Sequence, residues 1–137
     1  QAQMDWFNQI YDDGTGVWWG ICEPMDASKL IGAVGLNDIC SKHKRAEIGY
    51  WLLPAQWGRG VAAECVLSLM AFAFGIMGLH RIGAEVDMEN LNSSKLLERL
   101  GFQFEGVRRG WELKCGIHID LKCYSRLSTD MALHVFE

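Results

Sequence analysis

The sequence predicts one α/β domain over residues 1–137, built on a mixed sheet, and three observations carry that prediction. Three strand-like runs joined by short turns come first. A long apolar helix pattern follows the third, and strand and helix patterns then alternate towards the C-terminus. No linker, repeat or low-complexity tract interrupts the chain, and 137 residues suffice for a single buried core.

The first eleven residues, with Met4, Trp6, Phe7 and Ile10, read as the tail of a helix ending before the turn Asp12-Asp13-Gly14. Val17–Glu23 (VWWGICE) is a predicted strand, closed by a turn through Pro24-Met25-Asp26. Residues 29–39 (KLIGAVGLNDI) form the second, whose glycines predict bulges or close backbone approach. After the charged turn 41–44, residues 45–53 (RAEIGYWLL) form the third; the short turns imply an antiparallel meander. Pro54 closes that strand, and Ala55-Gln56-Trp57-Gly58-Arg59 leads into a helix over about 60–77. Arg81–Asp87 is a strand again. Residues 92–100 make a short amphipathic helix, with Leu96, Leu97 and Leu100 on one stripe and Gly101 just past its end. Residues 102–111 and Ile117–Leu127 give two last strands around a turn near Gly116. By strand alternation Trp18, Trp19, Tyr50 and Trp51 belong mostly to the core.

Composition narrows the function. Half of the residues are hydrophobic and 22% are charged, which argues against disorder. A net charge of −4 argues against a general nucleic-acid binder and suits a cationic partner such as an amine or a basic peptide. The five cysteines are odd in number and scattered without a CxxC, which reads as reduced thiols in a cytoplasmic setting. No His, Cys or Asp group has metal-ligand spacing, so no metal is expected. Asp5, Asn8, Asp12 and Asp13 interrupt any apolar leader. The run 61–77 is short for a bilayer span and carries Glu64, so it reads as a buried helix and no membrane is expected as a partner.

The segment Gly58-Arg59-Gly60-Val61-Ala62-Ala63 stands between a strand and the long helix. Amides in the first turn of a helix lack intrahelical acceptors, and the dipole adds positive charge. Glycines let a polyanion approach them, so the loop is a candidate pyrophosphate cradle to which Arg59 adds a charged donor. A tight turn that needs glycine for backbone reasons alone explains the same string. The string also fits GxGxxG/A, with Asp87 in the place of a ribose-binding acid. Four residues, Pro54 to Trp57, separate the strand from the first glycine, and an antiparallel meander precedes it, which weighs against a dinucleotide site. The loop GxxxxGK[ST] is absent.

Together AEIGYWL (46–52), PxxWGRGVA (54–62), NxxSxxxLERLGF (90–102), FEG (104–106) and DxxxY (120–124) resemble the GNAT superfamily of N-acetyltransferases. Within it they are most similar to the RimJ/RimL-type branch that acetylates ribosomal-protein N-termini. The resemblance implies a mostly antiparallel sheet whose central strands, 45–53 and 81–87, splay into a V-shaped slot for acetyl-coenzyme A. It places the pantetheine arm along the backbone of Trp51, Leu52 and Leu53. The pyrophosphate would meet the loop of Trp57, Gly58, Arg59, Gly60, Val61 and Ala62, and Asn90 and Ser93 would line the other wall. It also implies that about forty residues of strand and helix precede the position of Gln1, so the domain lacks the usual first strand and helix. The chain is then either part of a longer polypeptide or a truncated relative. Dimers are common in similar proteins, which leaves a homodimer open without the sequence fixing the oligomeric state.

Acetyl transfer to an amine needs a base, because an ammonium must lose a proton first, and a way to accommodate the departing thiolate. A backbone amide near the splay serves the oxyanion. Glu112 matches the branch's general base, next to Trp111 as a desolvating wall. Glu47, on the slot-lining strand, is the rival. Ser93 matches the serine that hydrogen-bonds the coenzyme A sulfur, and Asn92, Ser93 and Ser94 are also good helix caps. Where many members carry a tyrosine acid, this chain has Leu97. His80 and His118 read as structural or exposed, and Tyr124 as core or as a border of the acceptor pocket. The expected activity is N-acetylation of a protein N-terminal amine or a small amine; a non-catalytic acyl-coenzyme A-binding module is the second reading.

Overall fold

The computed structural model describes residues 13–130. The helical tail expected over the first eleven residues lies outside them. Strands β1 (Val17–Glu23), β2 (Asp26–Cys40) and β3 (Arg45–Leu52) are followed by helix α1 (Val61–Gly75), β4 (Arg81–Asp87), helix α2 (Leu91–Arg99), β5 (Gln103–Lys114) and β6 (Ile117–Leu127). One sheet runs in the order β1-β2-β3-β4-β6-β5. All neighbours are antiparallel except β3 and β4.

Both helices pack on the face that carries Val34, Leu36, Ala46, Ile48, Ile82 and Ala84. Helix α1 buries Ala63, Val66, Leu69, Met70 and Ala73 there, and no helix of the described residues is long and apolar enough to cross a membrane. The stripe expected on α2 is present, with Leu97 and Leu100 fully buried. The helix ends as predicted, since the Phe102 amide reaches back to the Leu97 carbonyl at 2.9 Å around Gly101.

The opposite face is organised by Trp18. Its indole lies across Gly35 of β2 and Gly49 of β3, and Nε1 donates to Asn37 Oδ1 at 2.7 Å. Close approach, one of the two uses expected of the β2 glycines, is thus realised at Gly35, and a bulge follows between Asn37 and Cys40. Trp18, Tyr50 and Trp51 are only partly buried, and Trp19 is 39% exposed, so alternation overstated their burial. Position explains it: Trp18 and Trp19 lie on the edge strand β1, where Trp19 leans edge-on against Phe72 of α1, and Tyr50 and Trp51 lie on the half of β3 that has no β4 partner.

Three of the element ends that differ from expectation have a visible cause. Strand β2 begins at Asp26 because Glu23 pairs with Asp26, which shortens the turn to Pro24-Met25. Helix α2 begins at Leu91 because Asn90, and not Asn92, Ser93 or Ser94, caps it: Asn90 Oδ1 accepts the Ser93 amide at 3.1 Å. Strand β5 runs on to Lys114 because pairing resumes at Glu112–Ile119 after a bulge that follows Arg108.

Arg81 on β4 and Glu105 on β5 clamp the strand between them. Two hydrogen bonds of 2.6 and 2.7 Å join the pair, and Ser125 Oγ of β6 donates to the same carboxylate at 2.8 Å. The guanidinium holds the Glu105 carboxyl down at about 2. A depressed carboxyl pKa contributes stability that is complete above the unfolded value of 4.5 and is lost as pH falls towards 2.

Two outcomes are expected. In Gly35→Ala a methyl group would strike the Trp18 ring, and the urea midpoint should fall by the equivalent of about 1–3 kcal/mol. In Glu105→Gln, unfolding free energies measured between pH 4.5 and 2 should decline less steeply on acidification than in the wild type.

Candidate active site

Strands β3 and β4 pair only through Arg45–Arg81, Ala46–Ile82 and Glu47–Gly83. Beyond those three pairs they part, leaving a gap between residues 48–52 and 84–87. The splay that the sequence implied is therefore present. Its geometry decides which backbone groups face the gap. The Leu53 amide donates to Ile31 O and its carbonyl accepts from Gln56, both at 2.9 Å, so Leu53 is committed to β2 and to the turn that follows. Groups on alternate residues point the other way, which turns the backbone of Tyr50 and Leu52 towards the gap. Trp57 is 62% exposed and its Nε1 donates to the Leu52 carbonyl at 3.0 Å, which ties the start of the glycine loop back to the end of β3. Trp51 Nε1, on the open half of β3, is a buried donor without a partner among the described residues.

At the end of β3 the chain makes one turn of 3₁₀-helix over Pro54–Gln56, then the glycine loop, then α1. Gly58 and Gly60 both have φ +76°, and nothing lies within 4 Å of where a Cβ would stand on either. The backbone reason for glycine and the open cradle therefore hold at the same residues. Arg59 is exposed at the tip, and Val61 and Ala62 start the helix half-buried. This donor set fits a pyrophosphate. The dinucleotide alternative fails on topology, because the loop follows an antiparallel meander. Asp87 is also occupied, accepting the Glu89 amide at 2.9 Å and pairing with Lys114 at 3.4 Å.

Glu47 stands at the last paired position, where the strands begin to part. Its carboxylate lies over Gly83, so close that a Cβ there would be 2.5 and 2.7 Å from its oxygens. It is half-buried. Burial first, and then the charge of Glu85, raises its pKa above the ordinary carboxylate value, against the opposing pull of Arg81 and Arg108. Glu85 is itself paired with Arg108 at 3.4 Å. On the other wall Ser93 sits in the first turn of α2. Its amide is held by Asn90 Oδ1, and its Oγ accepts a 3.2 Å hydrogen bond from Tyr50 Oη.

Glu112 lies beyond the end of β4 and not at the point where the strands part. Its partner Ile119 comes before Leu121, which pairs with Asp87, the last residue of β4. It is thus on the part of the β5–β6 hairpin that extends past β4, and it is exposed. The desolvating wall expected beside it is not built: Trp111 is 59% exposed, with the Arg108 guanidinium 4.7 Å from its ring centroid. Tyr124 proves to be core, donating to Glu98 Oε1 at 3.1 Å. His80 and His118 are exposed, the former 3.0 Å from Ser128 Oγ. Among the described residues no group of three or more His, Cys, Asp or Glu is arranged to hold a metal, and the five cysteines are free. Two placements escape the sequence, Tyr50 against Ser93 and Gly83 beneath the Glu47 carboxylate. Tyr50 was visible only as an aromatic on a strand, and the facing of Glu47 and Gly83 depends on a parallel register that no local pattern encodes.

Comparison with known proteins agrees with this geometry. The family model for the acetyltransferase (GNAT) domain matches residues 1–103. The uncharacterized N-acetyltransferase YoaA of Bacillus subtilis is 40% identical over 90% of this chain and 70% of its own length. The putative ribosomal N-acetyltransferase YdaF of the same organism is 32% identical over 92% of this chain and 67% of its own. Among solved structures, a mutant of the spermidine N-acetyltransferase SpeG from Vibrio cholerae superposes with a TM-score of 0.82 at 26% identity, covering 91% of this chain and 73% of that one. The chain belongs to the GNAT acetyltransferase family.

Proposed function

We propose that this chain is an acetyl-coenzyme A-dependent N-acetyltransferase that acts directly on a primary amine. The observation that carries the reading is the gap between β3 and β4, which has an open glycine loop at its mouth and a carboxylate and a serine on its two walls. Amides of residues 58–62 and Arg59 would hold the pyrophosphate. The gap-facing backbone of Tyr50 and Leu52, with Asn90 across from it, would hold the pantetheine arm. The cosubstrate supplies the acetyl thioester.

Glu47 would take the proton of the incoming ammonium, directly or through water. Its raised pKa suits that work, because a base is most effective when its pKa lies near the operating pH. A gap-facing amide of β3 would stabilise the developing oxyanion, and Ser93 would donate to the sulfur. Resemblance to the family favours Glu112 as base; burial and position at the crotch of the V favour Glu47.

The acceptor in this reading is a protein N-terminal amine or a small amine. The related YdaF and SpeG carry names of those two kinds. Glu47 and Glu85 share one face of the sheet, which favours a cationic acceptor. Free thiols fit a reducing, cytoplasmic setting.

Incubation with acetyl-coenzyme A and a panel of amines should release free thiol above the hydrolysis background. Coenzyme A binding without turnover would establish the acyl-coenzyme A-binding module instead. Glu47→Gln should lower kcat by about 100-fold or more, with the acid limb of the wild-type pH profile lying above the usual carboxylate range. A carboxyl whose folded pKa is raised loses stability as pH rises, so Glu47→Gln should also raise the melting midpoint at neutral pH. A full loss of turnover in Glu112→Gln with Glu47→Gln unaffected would transfer the base role to Glu112.

A further inference from the structure

Ser93 is held at two points. Its backbone amide donates to Asn90 Oδ1 at 3.1 Å, and its Oγ accepts from Tyr50 Oη at 3.2 Å. The two residues sit on opposite walls of the gap, Tyr50 on the open half of β3 and Ser93 in the first turn of α2. Both are partly buried.

The direction of this hydrogen bond matters. A hydroxyl carries one proton and two lone pairs. When Tyr50 fills one lone pair of Ser93 Oγ, the serine proton is turned away from the tyrosine. A hydroxyl that already accepts a hydrogen bond is also a stronger donor, because successive bonds polarise one another. From this geometry we infer that Tyr50 is a positioning residue, which fixes and polarises the Ser93 hydroxyl so that its proton points into the gap at the departing sulfur. The inference rests on the acetyltransferase reading given above.

Burial raises the Tyr50 pKa above the ordinary phenol value. The phenol therefore stays protonated at neutral pH and keeps its role as donor. In the transfer step the amine nitrogen bonds to the acetyl carbon, the carbon–sulfur bond breaks, and its electron pair goes to sulfur. The nitrogen's proton goes to the carboxylate or to water. Ser93 then faces a thiolate, the acceptor for which a second, polarising hydroxyl is most valuable. Tyr50 need not touch the cosubstrate for any of this.

The test is a double-mutant cycle on Tyr50→Phe and Ser93→Ala with two readouts. One is steady-state turnover with a primary amine. The other is the pKa of the thiol of bound coenzyme A, followed by thiolate absorbance in the ultraviolet, with affinity measured by calorimetry. Ser93→Ala should lower kcat by about 10- to 100-fold, as expected for one lost bond to a charged acceptor. Tyr50→Phe should lower kcat by roughly 3- to 10-fold with little change in coenzyme A affinity, and should raise the bound-thiol pKa. The double variant should be no slower than Ser93→Ala alone, since Tyr50 acts only through the serine.

Additive losses in the double variant, or a Tyr50→Phe protein with full kcat and an unshifted thiol pKa, would overturn the inference. Either result leaves the acetyltransferase reading standing if the wild type turns over. A wild type that does not bind coenzyme A would overturn that reading, and this inference with it.

Discussion

Everything proposed for this molecule depends on two parallel strands that pair for three residues and then separate. Each has its other edge fully engaged, β3 with β2 and β4 with β6, so the parting leaves two inner edges of backbone donors and acceptors facing each other. Unpaired main-chain groups in a partly buried place need partners. An extended chain carrying amides is the natural guest of such an edge, because it restores the ladder that the sheet itself leaves open. In the proposed reading the gap binds its guest through missing hydrogen bonds as much as through shape.

The surrounding structure keeps that opening in place. Trp18 spans β1, β2 and β3 on one face, where Gly35 and Gly49 leave space for its ring. The Arg81–Glu105 clamp ties β4 to β5 across β6 on the far side. Tyr50 and Ser93 join the two walls directly. At the apex, Gly83 leaves room for the Glu47 carboxylate to lie against it, and burial there raises the proton affinity of the group.

Much of this was legible in the sequence because it depends on local chemistry. The meander, the apolar α1, the leucine stripe of α2 and its glycine stop follow from periodicity and turn residues, and the glycine loop before α1 stood out at once. The branch-like strings led to Ser93, Asn90 and the loop, and the structure gathers these around the gap. What stayed hidden was relational. Nothing near Asn90 distinguishes it as a cap from Asn92, Ser93 or Ser94 until the helix start is fixed. The bulge after Arg108 sets how far Glu112 is carried along the hairpin; Gly110, at φ +56°, lies within it, but a glycine alone does not fix how many residues the bulge takes up. Burial of the aromatics was overestimated because alternation reveals neither that β1 lies at an edge nor that the half of β3 carrying Tyr50 and Trp51 runs without a β4 partner. The closeness of Tyr50 to Ser93 joins positions 43 apart, so only the folded sheet could show it.

The most direct measurement of the central claim is a crystal structure with coenzyme A bound. The account predicts the diphosphate on the amides of residues 58–62, the pantetheine arm laddered along the open half of β3, and the sulfur between Glu47 and Ser93. A ligand seated elsewhere, or strands β3 and β4 paired along their full length with no room between them, would contradict it.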